Sequence, residues 1–160
     1  MHVTHFCHEA CKLHLEEFGY APDMFPAEAQ EAFRAGQSLS REELDRAEAI
    51  RRGLRSQVDE ALDIVDILVV PALPVHQPEV KAESFQIGGR FLGFTGSLVL
   101  FTSLFNHTGH PVLATPAPGA ATDSFHGVQW VGRWGTERLL LEAVGGLLEH
   151  GARRWINSAL

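Results

Sequence analysis

Lysine is almost absent from this 160-residue chain: Lys12 and Lys81 are its only two. Both fall in polar surroundings, a presumed helix and a presumed loop, so neither is set in the apolar pocket that makes a lysine a base. Basic runs are equally short, nothing beyond Arg51–Arg52 and Arg153–Arg154, and the formal net charge is −7. A nucleic-acid surface needs clustered positive charge, so that class of partner is excluded. Cysteine occurs twice, at Cys7 and Cys11. That is too little for a disulfide framework and points to a reducing cytoplasm. Long apolar runs are missing too. "ILVV" (67–70) ends at Pro71 and "SLVLF" (97–101) gives way to Thr102 and Ser103, so no membrane span is expected. The N-terminus lacks the charged-then-apolar pattern of a signal peptide. No GxSxG, HExxH or CxxC motif occurs, and "GGRFLG" (88–93) fails the GxGxxG template. Repeats and low-complexity tracts are also absent.

What is present is the composition of one globular domain, with 45% hydrophobic and 21% charged residues. The length is enough to bury a core without disulfides or metals. Residues 5–18 read as a helix stopped by Gly19 and Pro22. "PAEAQEAFRAG" (26–36) reads as a second, with Pro26 in its first turn and Gly36 as its stop. Ser40 and Glu43 form a capping box that opens the clearest helix in the chain. Along it Leu44, Ala47, Ile50, Leu54, Val58, Ala61 and Val65 recur at steps of three or four as one buried stripe. Gly53 inside it is expected to mark close packing. The carboxylates Glu42, Glu43, Asp45 and Glu48 fall on its solvated side.

"DILVV" (66–70) reads as a strand buried on both faces. The stretch from Pro71 to Gly96 reads as loop. "SLVLFTSLF" (97–105) is helix or strand by pattern alone. "PVLAT" (111–115) and "GVQWVGR" (127–133) read as strands. "TERLLLEAVGGLLEHG" (136–151) reads as a final helix, with Thr136 as N-cap and Gly151 as stop. The sum is a single domain over 1–160, helical over 1–65 and strand, loop and helix over 66–160. Its fold class is α/β: a mixed sheet of a few strands with flanking helices.

Two clusters could carry chemistry. On a helix, Cys7, Cys11 and His14 share a face and supply three corners of a tetrahedral zinc site, but no fourth ligand is specified. The plainer alternative is a half-buried helix face. "FNHTGHP" (105–111) gathers Asn106, Thr108, Gly109 and Pro111 between two apolar runs. Gly109 permits a left-handed backbone, Pro111 fixes entry into the next strand, and Asn106 and Thr108 can bond the turning backbone. These four are candidates to line a pocket as well as to make the turn.

Three segments, "VDILVVPALPV" (65–75), "FTSLFNHTGHPVLATP" (101–116) and "HGVQWVGRWGTERLLLEAV" (126–144), occur in that order. They resemble the C-terminal part of amidase signature enzymes, serine hydrolases that cleave carboxamide C–N bonds. The family's stretches read like "VDVLLTPTLP", "FTAPFNLTGHPALSVP" and "GLPVGVQLVGRWGDEATLL". The long helix with its capping box also looks like the family's helix before the first of these strands. The resemblance implies the C-terminal portion of the amidase signature fold, with no cofactor and no role for His107 or His110 in catalysis. It places the family's Ser-Ser-Lys catalytic residues and glycine/serine-rich signature in the part that would precede this sequence. The expectation is a C-terminal fragment, inactive alone, whose partner is the missing N-terminal portion or a second copy. Three departures from the family's pattern stand out. Leu104 replaces a proline, His107 an aliphatic residue, and Asp123-Ser124-Phe125 a Gly-Leu-Pro turn.

Overall fold

The computed structural model describes residues 2–74, 82–117 and 127–158, with side chains of the last helix described to residue 147. Pro78, Lys81 and the Asp123–Phe125 turn lie outside the described residues. The chain divides into two compact units, Met1–Leu54 and Arg55–Leu160. The described elements are helical up to Ile64, and strands begin at Leu68.

The first unit pairs two helices, α1 (His2–Cys11) and α2 (Ala27–Ser38). α1 runs on as a wider π-helical turn, Lys12–Glu17, and the chain leaves it through Gly19 at φ 65°. Cys7 and Cys11, one turn apart, are buried on α1. Gly36 lies inside α2 and is not its stop: a Cβ there would sit 2.2 Å from the carbonyl oxygen of Cys7. The glycine is therefore a contact point that lets the two backbones meet. At the other end of the pair, Phe25 and Phe33 meet edge to face at 5.0 Å, and His14 lies 5.4 Å from Phe25.

α3 (Arg41–Ile64) begins at the expected capping box. The Ser40 N–H and hydroxyl donate to Glu43 Oε2 at 2.9 and 2.8 Å, and the Glu43 N–H donates to Ser40 Oγ at 3.2 Å. The backbone bond from Ser40, with its hydroxyl second, holds the Glu43 carboxyl below its ordinary pKa. A depressed folded pKa contributes stability above the unfolded value, and that contribution is lost as pH falls through the folded one. Ser40→Ala removes the hydroxyl that accepts the Glu43 N–H, and loss of such an N-cap is expected to cost about 1 kcal/mol. Alanine keeps the Ser40 N–H bond to Glu43, so only the hydroxyl's share of the gap should narrow as the solution is acidified through the carboxylate range, as thermal melts over a pH series would read.

The α3 stripe is mostly as read, with Ala47 and Val58 buried, but Ile50 and Val65 are 46% and 40% exposed. Leu62, at 0%, takes the position that the pattern assigned to Ala61. Both satisfy the spacing from Val58, and the larger side chain fills the core. Gly53 marks no close packing, since a Cβ there meets nothing within 4 Å.

In the second unit, β1 (Leu68–Pro71), β4 (Val112–Pro116) and β5 (Gly127–Val131) form a sheet in the order β1-β5-β4, both ladders antiparallel. β2 (Ser84–Ile87) and β3 (Arg90–Gly93) form a separate hairpin within the stretch expected to be loop. Its two turn residues, Gly88 and Gly89, have φ of 56° and 77°, the handedness that a tight two-residue hairpin turn needs. "SLVLFTSLF" resolves as the end of α4 (Phe94–Leu98), a turn over 99–101 and the start of α5 (Thr102–Thr108). α6 (Glu137–Ser158) passes through Gly151, which does not stop it. Thr136 stands just before α6, but its hydroxyl donates back to the Arg133 carbonyl at 2.7 Å.

The strand covered on both faces is β5, not "DILVV". Val131 packs with Val58 and Leu62 of α3 and Phe105 of α5. Its neighbour Trp130 points the other way, onto Leu140 and Val144 of α6. Buried polar groups on β5 are paired: Gln129 Nε2 donates to the Pro71 carbonyl at 3.1 Å and Trp130 Nε1 to Thr115 Oγ1 at 2.9 Å. β1 is an edge strand of this sheet, and Val69 is 52% exposed.

Candidate functional site at the turn after α5

α5 ends at Gly109, whose φ of 73° is the left-handed cap expected for it, and whose N–H donates to the Phe105 carbonyl at 2.7 Å. Asn106 is exposed on α5, whereas Thr108 is buried at 1%. Pro111 opens the way into β4, and its carbonyl accepts the Gly132 N–H at 3.1 Å, tying the turn to the end of β5. Of the four pocket candidates, then, Gly109 and Pro111 shape the backbone, Thr108 points into the interior and Asn106 faces solvent.

The group that organises this turn is His110, for which the resemblance implied no catalytic role and whose partners the sequence did not identify. Its side chain is 0% exposed. Its Nε2 lies 2.9 Å from Asp59 Oδ1 and its Nδ1 lies 3.0 Å from Thr108 Oγ1. A carboxylate only accepts, so Nε2 carries a proton toward Asp59, and Nδ1 shares the second hydrogen bond with the Thr108 hydroxyl. Asp59 is 51 residues away in sequence, which is why local pattern could not find the pair.

Two further contacts come from the same part of α3. The Arg55 guanidinium lies 4.0 Å from the Trp134 ring centre, and Arg133 Nη2 donates to the Leu62 carbonyl. The Trp134 ring in turn stands 6.1 Å from His110, edge-on, and covers Gly109. Arg55, Asp59 and Leu62 are spaced i, i+4 and i+7, so one face of α3 holds both the turn after α5 and the loop after β5.

Hydroxyl, imidazole and carboxylate in series have the connectivity of a nucleophilic triad. Access decides against that use here: Thr108 is 1% exposed, so its oxygen cannot meet a carbonyl carbon. The other hydroxyls worth weighing are also engaged. Ser97 is fully buried, with Oγ 2.9 Å from the Gly93 carbonyl, and Ser103 Oγ faces the Leu100 carbonyl at 3.4 Å. Cys7 and Cys11 are buried free thiols, and burial, with Glu16 second, pushes the Cys11 thiol above its ordinary pKa, away from the reactive thiolate. His14 sits among Phe18, Tyr20, Phe25 and Phe33. Among the described residues no group of three or more His, Cys, Asp or Glu is placed to hold a metal ion, and no helix is long and apolar enough to cross a membrane.

No family model matches the chain. In sequence it is 29% identical over 143 residues to the 1-carboxybiuret hydrolase subunit AtzE of Pseudomonas sp. (strain ADP), which covers 89% of this chain and 31% of that protein. In structure it is similar to a crystal structure of an amidase, with a TM-score of 0.76 and 29% identity over 92% of this chain and 34% of the other. It is also similar to a chain of a protein complex described as vestigial and as revealing the evolutionary origins of an s-triazine catabolic enzyme. There the TM-score is 0.73, with 28% identity over 92% of this chain and 32% of that one. The chain thus spans about a third of the length of the relatives it matches. Sequence and fold agree with the motifs: this chain is related to the amidase signature enzymes and resembles their C-terminal part.

Proposed function

We propose that this chain supplies the C-terminal portion of an amidase, and that carboxamide C–N bonds are hydrolysed only when the portion with the Ser-Ser-Lys residues is joined to it. The observation that carries the family is the match to an amidase structure over 92% of the chain at 29% identity. Inactivity of the chain alone is supported by the burial of the Thr108 hydroxyl behind His110 and by Ser97 and Ser103, each engaged with a backbone carbonyl. An acyl transfer needs an activated nucleophile within reach of its base and of the substrate. Asn106, Thr108, Gly109 and Pro111 act in this reading through the turn, as a wall beside a cleft completed by the missing portion.

The test is an assay of the purified chain on simple aliphatic and aromatic amides, alone and mixed with the N-terminal two-thirds of an amidase relative. No turnover alone, and turnover on mixing, is the expected result. Turnover by the chain alone that disappears in Ser97→Ala or Ser103→Ala would overturn it.

A second reading, a non-catalytic assembly module, is favoured by the similarity to a chain of a solved protein complex. Self-association is its simplest form. β1 is an edge strand, with Val69 within it 52% exposed and Ile64 and Val65 before it 85% and 40% exposed, the kind of edge that pairs with another chain. Light scattering separates a dimer from a monomer. A cytoplasmic location fits both readings, given two cysteines held as free buried thiols.

A further inference from the structure

The first unit carries a groove that shares no residue with the turn after α5. It is a pocket of about 400 Å³ between α1 with its π-helical turn and the start of α2. Phe6, Ala10 and His14 line one side, and Phe25, Ala29 and Phe33 the other. Its lining mixes small alanines, Ala10, Ala29 and Ala32, with aromatic rings. Phe6, Ala10 and His14 are spaced i, i+4 and i+8, so the groove is about 12 Å long at 1.5 Å per residue. That is the length of two turns of a helix, enough for anchors at i, i+3 or i+4, and i+7. Apolar side chains continue beside it: Phe6, Phe18, Tyr20 and Met24 are 56%, 57%, 45% and 70% exposed. A face of this kind is uncommon on a chain that works without a partner.

Charge selects the occupant. The segment that carries the groove, 6–34, holds Glu9, Glu16, Glu17, Asp23, Glu28 and Glu31 against Lys12 and Arg34, so its balance is acidic. Glu17 pairs with Lys12 at 4.0 Å and Glu9 with Arg51 at 3.5 Å, while Glu28 lines the groove itself. A second copy of the chain would bring the same acidic segment against this one, which like-charge repulsion opposes. We infer that the groove between α1 and α2 docks an amphipathic helix of another protein, its apolar anchors in the groove and its lysines and arginines against the acidic rim. The inference is independent of amide hydrolysis and stands or falls without it.

The probe is a short fluorescein-labelled helical peptide with leucine at i, i+4 and i+7 and lysine at its other positions. Two controls accompany it, one with the lysines replaced by glutamate and one with the same composition but scrambled anchors. Fluorescence anisotropy on the full chain at physiological salt should show the anchored basic peptide binding at least about tenfold tighter than either control. Ala29→Lys puts a long side chain with the peptide's own charge into the groove lining and should weaken binding about tenfold. Glu28→Lys, an exposed change at the rim that disturbs no packing, should weaken it several-fold even if Ala29→Lys folds poorly. Equal binding of the scrambled peptide, or no effect of Glu28→Lys, overturns the proposal. A concentration-dependent dimer that Glu28→Lys leaves intact and Ala29→Lys dissolves also overturns it, by giving the groove to a second copy.

Discussion

Gly36→Ala should destabilise the protein by about 3 kcal/mol, the opposite sign to what the same change does in most helix interiors. Ordinarily alanine gains about 1 kcal/mol over glycine in the middle of a helix, because it loses less backbone freedom on folding. Gly36 has the helical setting for that gain, two residues before the end of α2. Space decides against it. The new Cβ would stand 2.2 Å from the Cys7 carbonyl oxygen, 2.7 Å from the Cys7 carbonyl carbon and 3.0 Å from Cys11 Cβ. The first two are backbone atoms of α1, which no rotamer change can move. α1 must retreat by about an ångström, and the buried Cys7 and Cys11 and the groove beside them loosen together. For a chain of this size that corresponds to a fall of roughly 6–12 °C in Tm. Gly53→Ala is the internal control. It lies in α3 with nothing within 4 Å of its Cβ, so it should raise Tm. If the two substitutions move Tm in the same direction, the close approach of α1 and α2 is wrong.

These two glycines also show where sequence reading runs out. Composition and spacing identify a helix and a glycine inside it. They do not say what lies across from it, since that depends on residues far away in the chain. The sequence reading gave Gly53 the packing role and Gly36 the role of a stop, and the structure reverses them. The same limit misplaced the doubly covered strand. "DILVV" has the apolar run of a buried strand, but it lies at the sheet edge, while the more mixed "GVQWV" takes the centre. Gln129 is tolerated there because its amide finds the Pro71 carbonyl on the neighbouring strand. The β2–β3 hairpin was legible from the paired glycines 88–89 between alternating residues, and reading the region as loop overlooked that signal.

Features set by short spacings were read well: the Ser40–Glu43 box, the ends of β4 and β5 to within a residue or two, and the left-handed Gly109. The family resemblance was legible for a related reason. Its three motifs are local strings, and each keeps its turn or strand whatever else surrounds it. The Asp59–His110–Thr108 series was not legible, because it joins α3 to the turn across 51 residues.

Gly109→Val should cost about 2–5 kcal/mol, more than strain alone would give. The first part is the backbone. At φ 73° a residue with a Cβ loses roughly 1–2 kcal/mol, and a β-branched one is the least able to adopt this conformation. The second part is space. A Cβ at 109 would stand 2.7 and 2.8 Å from two carbons of the Trp134 ring. Trp134 is 52% exposed, so it could swing aside if nothing held it. It is held: Arg55 lies over its face at 4.0 Å, and Arg133, the residue before it, is bonded to the Leu62 carbonyl. Displacing the ring therefore breaks a contact with α3 and uncovers His110, whose edge-on contact with Trp134 closes the turn. Two variants separate the parts. Gly109→Asn tolerates the left-handed backbone better than valine but keeps the clash, so it should fall between the parent and Gly109→Val. Trp134→Ala removes the clash, so adding Gly109→Val to it should cost only the backbone part, about 1–2 kcal/mol. Equal costs of Gly109→Val with and without Trp134, read from denaturant unfolding of the four proteins, would show that the indole does not pack on the turn.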